Sequence, residues 1–235
     1  MYENVQPMTA ARARQEASTI FLAKTFNWMA VGLGITGIVA FFTAYSGLAY
    51  TIIGTPLFIV LVFGELGLVF YLSARIEKLK AGTAKSLFVG YSVLNGLTLS
   101  VIFLAYTSAS IAGTFFITAG MFGAMALYGL VTKKDLSGWG SFLFMGLVGI
   151  IIASVVNIFL KSSNMYWIIS LIGVFVFTGL TAYDVQKIKR MGEEGIMAQG
   201  ESAITKGSIM GALALYLDFI NLFLMLLRFF GGSRD

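Results

Sequence analysis

Apolar residues run along this chain in seven blocks, at about 25–46, 49–73, 86–106, 110–131, 139–160, 165–183 and 208–230, each bounded by glycine-containing, polar or basic connections. About 20 apolar residues suffice for a helix to cross a bilayer. Within the blocks there is no period-two alternation, so the strands of a membrane barrel are excluded and helices are predicted. Lipid requires each backbone N–H and C=O to be satisfied inside its own segment, which helices achieve. The pattern therefore predicts an all-α integral membrane protein, a seven-transmembrane helical bundle forming one domain over residues 25–235. Residues 1–24 are polar and mixed in charge. They read as a cytoplasmic tail or surface helix, without the apolar core and cleavage site of a leader. Connections at Gly47, 107–109 and 161–164 are short, those at 74–85 and 132–138 are basic, and only 184–207 is long enough to hold structure of its own.

Composition agrees. The 235 residues are 58% hydrophobic and 11% charged, where a soluble domain would carry about a quarter charged residues. Basic residues assign an orientation. Arg12, Arg14 and Lys24 precede the first block; Arg75, Lys78, Lys80 and Lys85 follow the second; Lys133 and Lys134 follow the fourth; Lys187, Lys189, Arg190 and Lys206 follow the sixth. Only Lys161, Arg228 and Arg234 fall on the other side. Positive residues stay inside, which puts the N-terminus in the cytoplasm and the C-terminus outside. The net charge of +5 then reflects topology and contact with the lipid bilayer rather than nucleic-acid binding.

Glycines within the blocks, among them Gly32, Gly34, Gly37, Gly120, Gly123, Gly146 and Gly149, are expected to mark packing faces, because small residues let membrane helices approach. Gly207 and Gly211 form a GxxxG pair at the entry to the last block, for packing within the monomer or for a dimer face.

Histidine and cysteine are absent, which removes disulfides, thiolate nucleophiles and the usual zinc or iron ligands. No side chain normally titrates near neutrality, so any pH response rests on carboxyls. Three of the eleven acidic residues are candidates: Glu65 inside the second block, Asp218 near the middle of the seventh, and Asp184 at the inner end of the sixth. An ionisable residue inside a membrane helix is a functional-site hypothesis by default. Structural hydrogen bonding stays open for Glu65 and Asp218, and a solvated helix end for Asp184. Asp218, Asn221, Met225 and Arg228 recur at helical spacing and form one stripe on the last helix. Asn95 and Thr98 in the third block and Asn157 in the fifth are candidates to face it. A retinal protein would need a lysine in its last helix, and none follows Lys206. An intramembrane aspartyl protease would need a second motif that Leu217-Asp218-Phe219 does not supply. A serine protease would need a histidine. No enzyme class fits.

Two segments carry a resemblance. Ala212-Leu213-Ala214-Leu215-Tyr216-Leu217-Asp218-Phe219-Ile220-Asn221-Leu222-Phe223, followed by Leu226-Leu227-Arg228-Phe229-Phe230-Gly231, resembles the C-terminal signature of the Bax inhibitor-1, or transmembrane Bax inhibitor motif, family. Thr181-Ala182-Tyr183-Asp184-Val185-Gln186-Lys187-Ile188-Lys189 is similar to that family's Tyr-Asp-x-Gln-x-Ile pattern, and the seven-span layout matches throughout. The resemblance implies a bundle around a central seventh helix in the bacterial cytoplasmic membrane, acting as a pH-sensitive calcium leak. It implies that Asp184 and Asp218 form the proton-sensing pair and touch Ca²⁺ transiently. It also implies that Arg75 latches one of the two aspartates in the closed state, and Glu65, which resembles an acidic residue placed similarly in the second span, is a candidate for the ion path. Asn95, Asn221 and Arg228 are further candidates for that path. No cofactor is expected beyond Ca²⁺ as permeant ion. Two carboxyls in contact cannot both ionise cheaply, so their protons leave in steps that belong to the pair. From the same family comes the alternative of a non-conducting regulatory protein that binds a partner such as a membrane AAA protease. A proton-coupled solute transporter is a third reading, without the inverted repeat usual for one.

Overall fold

A computed structural model describes the backbone of residues 10–232, with side chains from Arg12 onward. Residues 1–9 of the expected tail and Arg234 lie outside the described residues. Among the described residues there are nine α-helices and one 3-10 turn: α1 Ala10–Tyr45, α2 Leu48–Ile53, α3 Leu57–Arg75, α4 Ala81–Leu99, α5 Ile102–Ala105, α6 Ser108–Val131, α7 Ser137–Leu160, α8 Ser163–Glu193 and α9 Glu201–Phe230, with the 3-10 turn at Ile196–Gln199 before α9. Seven helical stretches are long and apolar enough to span a membrane, as the hydrophobic blocks predict.

The differences lie at the ends and have local causes. The second block is two helices, because Gly54-Thr55-Pro56 interrupts it: proline has no N–H to donate and heads α3 instead. The third block breaks at Ser100–Val101, leaving the one-turn α5. The sixth runs ten residues past its expected end at 183, and the seventh begins at Glu201 rather than 208. Hydrophobicity stops there but helical packing does not: Val185 and Ile188 of α8 are buried, as are Ile204 and Gly207 of α9. The 184–207 connection therefore shrinks to a turn framed by Gly195 and Gly200 at φ +94° and +87°, where a side chain would be strained. α1 likewise starts well before residue 25, since Ser18, Phe21 and Thr25 are buried against these extensions and Ser18 Oγ donates to Lys189 O at 2.9 Å.

α9 is the hub. Seventeen of its thirty residues are buried, against Leu72 alone in α3, and α1, α4, α6 and α8 all pack on it. α3 leans on α4 and α7 on α8, both at the periphery. Gly207 packs on Ile196 and Phe21, and Gly211 on Thr25 and Ile188, so the GxxxG pair serves packing within the monomer. Gly32 and Gly146 also mark close approaches, to Phe88 and Val176. At Gly34, Gly37, Gly120, Gly123 and Gly149 a Cβ would meet nothing within 4 Å, so these do not mark packing faces. The tightest approach of one helix to another at a glycine is one the pattern does not single out, Gly129 of α6, whose Cβ would collide with the Ala182 carbonyl of α8.

Candidate functional site

One face of α9 is incompletely covered. Met210, Ala214, Leu217, Asn221, Leu224 and Arg228 recur every three or four residues and are each half-buried. Midway along this face opens a cleft of about 650 Å³ between α7, α8 and α9, lined among others by Tyr183, Asp184 and Lys187 of α8 and Asp218 and Asn221 of α9. Asp218 is 4% exposed. Its carboxyl lies within hydrogen-bonding reach of Asp184, and such a bond between two carboxyls exists only when one carries a proton. Asp218 Oδ2 is buried and receives no N–H or hydroxyl donor among the described residues. Asn221 donates Nδ2 to Leu217 O at 2.8 Å.

Asp184 is thus not at the end of its helix. It sits nine residues before the end of α8. Because both helices outlast their apolar runs, Asp184 can meet an aspartate seventeen residues into α9.

The cation at this pair is Lys187, one turn beyond Asp184, which lines the same cleft and whose charge acts on Asp184. Arg75 does not line the cleft. It is exposed at the end of α3, on a helix packed against α4, and forms no ion pair among the described residues. Sequence spacing offers a signal for Lys187, since i and i+3 share a helix face, but the residue was counted only as a topological charge.

The remaining candidates gather elsewhere. Tyr216 precedes Asp218 by two positions, about 200° around the helix at 3.6 residues per turn, and carries a second polar cluster on the opposite face of α9. Tyr216 OH donates to Asn95 Oδ1 at 2.9 Å and stands 2.6 Å from Thr36 Oγ1. Asn95 Nδ2 donates to Glu65 Oε2 at 3.0 Å, and Thr98 Oγ1 to Glu65 Oε1 at 2.6 Å. A chain of donors from Tyr216 to Asn95 ends on the Glu65 carboxyl, while Thr36 Oγ1, beside the phenol, donates to Ser92 O at 2.9 Å. Asn95 and Thr98 therefore do not face the Asp218 stripe. Asn157 does not either; its Oδ1 accepts from Ser162 N at 3.0 Å, closing the end of α7. Arg228 lies at the far end of α9, donating to Ser170 Oγ at 3.2 Å, with its guanidinium 4.3 Å from the Tyr166 ring centre. Removing the Tyr216 hydroxyl leaves a buried Asn95 oxygen short of a donor, which costs about 1–3 kcal/mol. Tyr216→Phe is accordingly expected to lower the thermal midpoint of the detergent-solubilised protein, while Tyr45→Phe, on an exposed ring, leaves it unchanged.

Just beyond the pair, α8 holds the α6–α7 connection. Gln186 Oε1 accepts from Leu136 N and its Nε2 donates to Lys134 O, both at 2.8 Å. Lys189 Nζ donates to Leu130 O at 2.8 Å, and Arg190 pairs with Asp135. The Ser137 N–H and then the Arg190 guanidinium hold the Asp135 carboxyl down at about 2. A lowered carboxyl stabilises the fold above its unfolded value and loses that effect only as pH falls through the folded one, so this clasp does not titrate between pH 5 and 8.

Residues 19–235 match the family model described as inhibitor of apoptosis-promoting Bax1. Inner membrane protein YbhL of Escherichia coli K12 is 55% identical over 216 residues, covering 91% of this chain and 92% of that protein. An uncharacterized protein of Borreliella burgdorferi is 47% identical, covering 92% and 93%, and one of Deinococcus radiodurans 46% identical, covering 97% and 96%. With seven spans and a relative named for the inner membrane, this is a multi-pass protein of the bacterial inner membrane. The aspartates of α8 and α9, the central last helix and the nearly full-length match agree: the chain belongs to the Bax inhibitor-1 family.

Proposed function

We propose that the protein is a pH-sensitive calcium leak of the membrane, with Asp184 and Asp218 as both proton sensor and transient ion site. The observation that carries this reading is the contact of two carboxyls in an open cleft on the central helix, one of them with a buried oxygen that no donor reaches. Calcium takes 6–8 oxygen ligands. Two carboxyls and the Asn221 amide oxygen supply only part of that shell, and water supplies the rest. No group of three or more acidic, histidine or cysteine residues able to cage a metal exists among the described residues. A weak, hydrated site suits passage better than retention. Protonation removes the negative charge that attracts the ion, so the pair couples flux to pH. In the cytoplasm-facing orientation assigned by the basic residues, the α8–α9 turn and the Asp135 clasp lie on the inner side. The reading requires no enzyme chemistry and no cofactor.

The test is Ca²⁺ flux into liposomes holding the purified protein, from pH 5 to 8, beside Asp184→Asn and Asp218→Asn. At an effective dielectric of about 20, a unit charge a few ångströms away acts with several kcal/mol, so each variant is expected to lose at least about tenfold in flux at pH 7 and to respond flatly across the range. Folded wild-type protein that passes no more Ca²⁺ than empty liposomes would sink the proposal and favour a regulatory protein that binds a partner such as a membrane protease.

A further inference from the structure

On the face of α8 adjoining the aspartate cleft, a second cavity of about 500 Å³ lies between α6, α7 and α8, with Tyr183 lining both. Its walls are apolar: Met125 of α6, Phe142 and Leu143 of α7, Phe175, Val176 and Gly179 of α8. It follows α8 from Phe175 to Tyr183, which is about 12 Å at 1.5 Å per residue, and so runs along the direction in which the helices cross the membrane. Glycine at 179 keeps its floor low, because a Cβ there would strike Leu143.

One end of the cavity is polar. Lys134, Asp135 and Leu136 of the α6–α7 connection close it, with Tyr128 and Trp139 at the rim, 41% and 57% exposed. Such rings favour the headgroup level of a bilayer. The charges at this mouth are unequal in kind. Asp135 is already neutralised by Arg190 and Ser137. Lys134 is exposed and its ammonium has no hydrogen bond or ion pair among the described residues, and Lys133 beside it is likewise exposed and unpaired. The net charge offered to an occupant is positive.

We propose that this cavity is a binding site for one anionic phospholipid, an acyl chain lying in the groove between α6, α7 and α8 and the headgroup phosphate held at Lys134 and Lys133. Charge complementarity selects the occupant. A zwitterionic lipid fills the same groove but presents a cation as well as a phosphate to two unpaired lysines. Basic pockets between membrane helices bind anionic headgroups for this reason. The site shares only Tyr183 with the aspartate cleft and does not depend on calcium passage.

Trp139 at the rim is a native reporter. A protein with Trp28→Phe and Trp167→Phe, reconstituted into vesicles, would be titrated with bromine-labelled phosphatidylglycerol or bromine-labelled phosphatidylcholine at equal mole fraction. The expected result is an apparent association constant at Trp139 at least about threefold greater for the anionic lipid. Lys133→Gln together with Lys134→Gln brings that ratio to one. A second protein retaining only Trp167, at the opposite end of α8, gives a ratio of one throughout and corrects for bulk lipid. A ratio of one at Trp139 with both lysines present, or a preference that survives their removal, overturns the proposal. Both lysines are exposed, so the double variant folds.

Discussion

Lys187→Gln is expected to raise Ca²⁺ flux through the reconstituted protein at pH 7 by about tenfold, whereas Arg75→Gln leaves it unchanged. Lys187 lines the cleft with Asp184, Asp218 and Asn221 and belongs to the same helix as Asp184. Its ammonium, exposed at the cleft and acting on Asp184, competes with a cation that approaches that carboxyl. Removing it makes the site more negative by one charge, and a change of about 1.4 kcal/mol in the ion's attraction is tenfold. The effect grows with pH, because the aspartates hold fewer protons and the unopposed charge is larger. It shrinks toward pH 5, where a protonated pair has little left to compete for. Lys187→Arg keeps the cation and is expected to resemble wild type. Arg75 has no partner in the cleft, so its removal is silent. If Arg75→Gln opened the leak and Lys187→Gln did not, the assignment of the blocking cation to α8 would be wrong.

The second large effect is on folding. Gly129→Val is expected to lower the thermal midpoint of the detergent-solubilised protein by at least about 5 °C. A Cβ at Gly129 meets the backbone of Ala182, and backbone cannot swing aside as a side-chain tip does. Overpacking costs about 1–3 kcal/mol, and more where nothing yields, while a chain of this length loses about 2–4 °C per kcal/mol. Gly123→Val is the control. It lies on the same helix and shares the same β-branched penalty, but a Cβ there meets nothing within 4 Å, so its midpoint should stay within about 2 °C of wild type. Intrinsic tryptophan scanning of both variants decides it; equal falls would mean that helix propensity, not the α6–α8 contact, set the result. Ala182 stands two residues before Asp184, so a displaced α8 also carries one aspartate away from the other.

Hydropathy alone located all seven spans, and Asp218 announced itself by being charged where lipid is expected. Motif resemblance joined it to Asp184, and the two are indeed side by side. What the pattern could not carry was register between helices. Tyr216 and Asp218 look like neighbours in the chain yet face opposite ways, so Asn95 and Thr98, which were expected to face Asp218, meet Tyr216 and Glu65 instead. Asp184 looked terminal because apolar residues stop at Tyr183, but Val185 and Ile188 continue the buried face of a helix that simply leaves the lipid. Gly129 was invisible for the same reason: one glycine among 27 is distinguished only by what lies opposite it. Lys187 was read as a topological charge because counting lysines by side discards the face each one occupies.

The most buried helix is also made after the eight described α-helices that precede it. While α9 is still in the ribosome and insertion machinery, α1, α4, α6 and α8 already stand in the bilayer without the helix they all pack on. Asn95 and Thr36 lack Tyr216, and Asp184 lacks its partner carboxyl. Membrane helices insert first and associate afterwards, so the preceding spans meet one another before the helix at their centre arrives. Completion of the bundle therefore rests on one late event, the arrival of Tyr216 and Asp218 on opposite sides of the same helix.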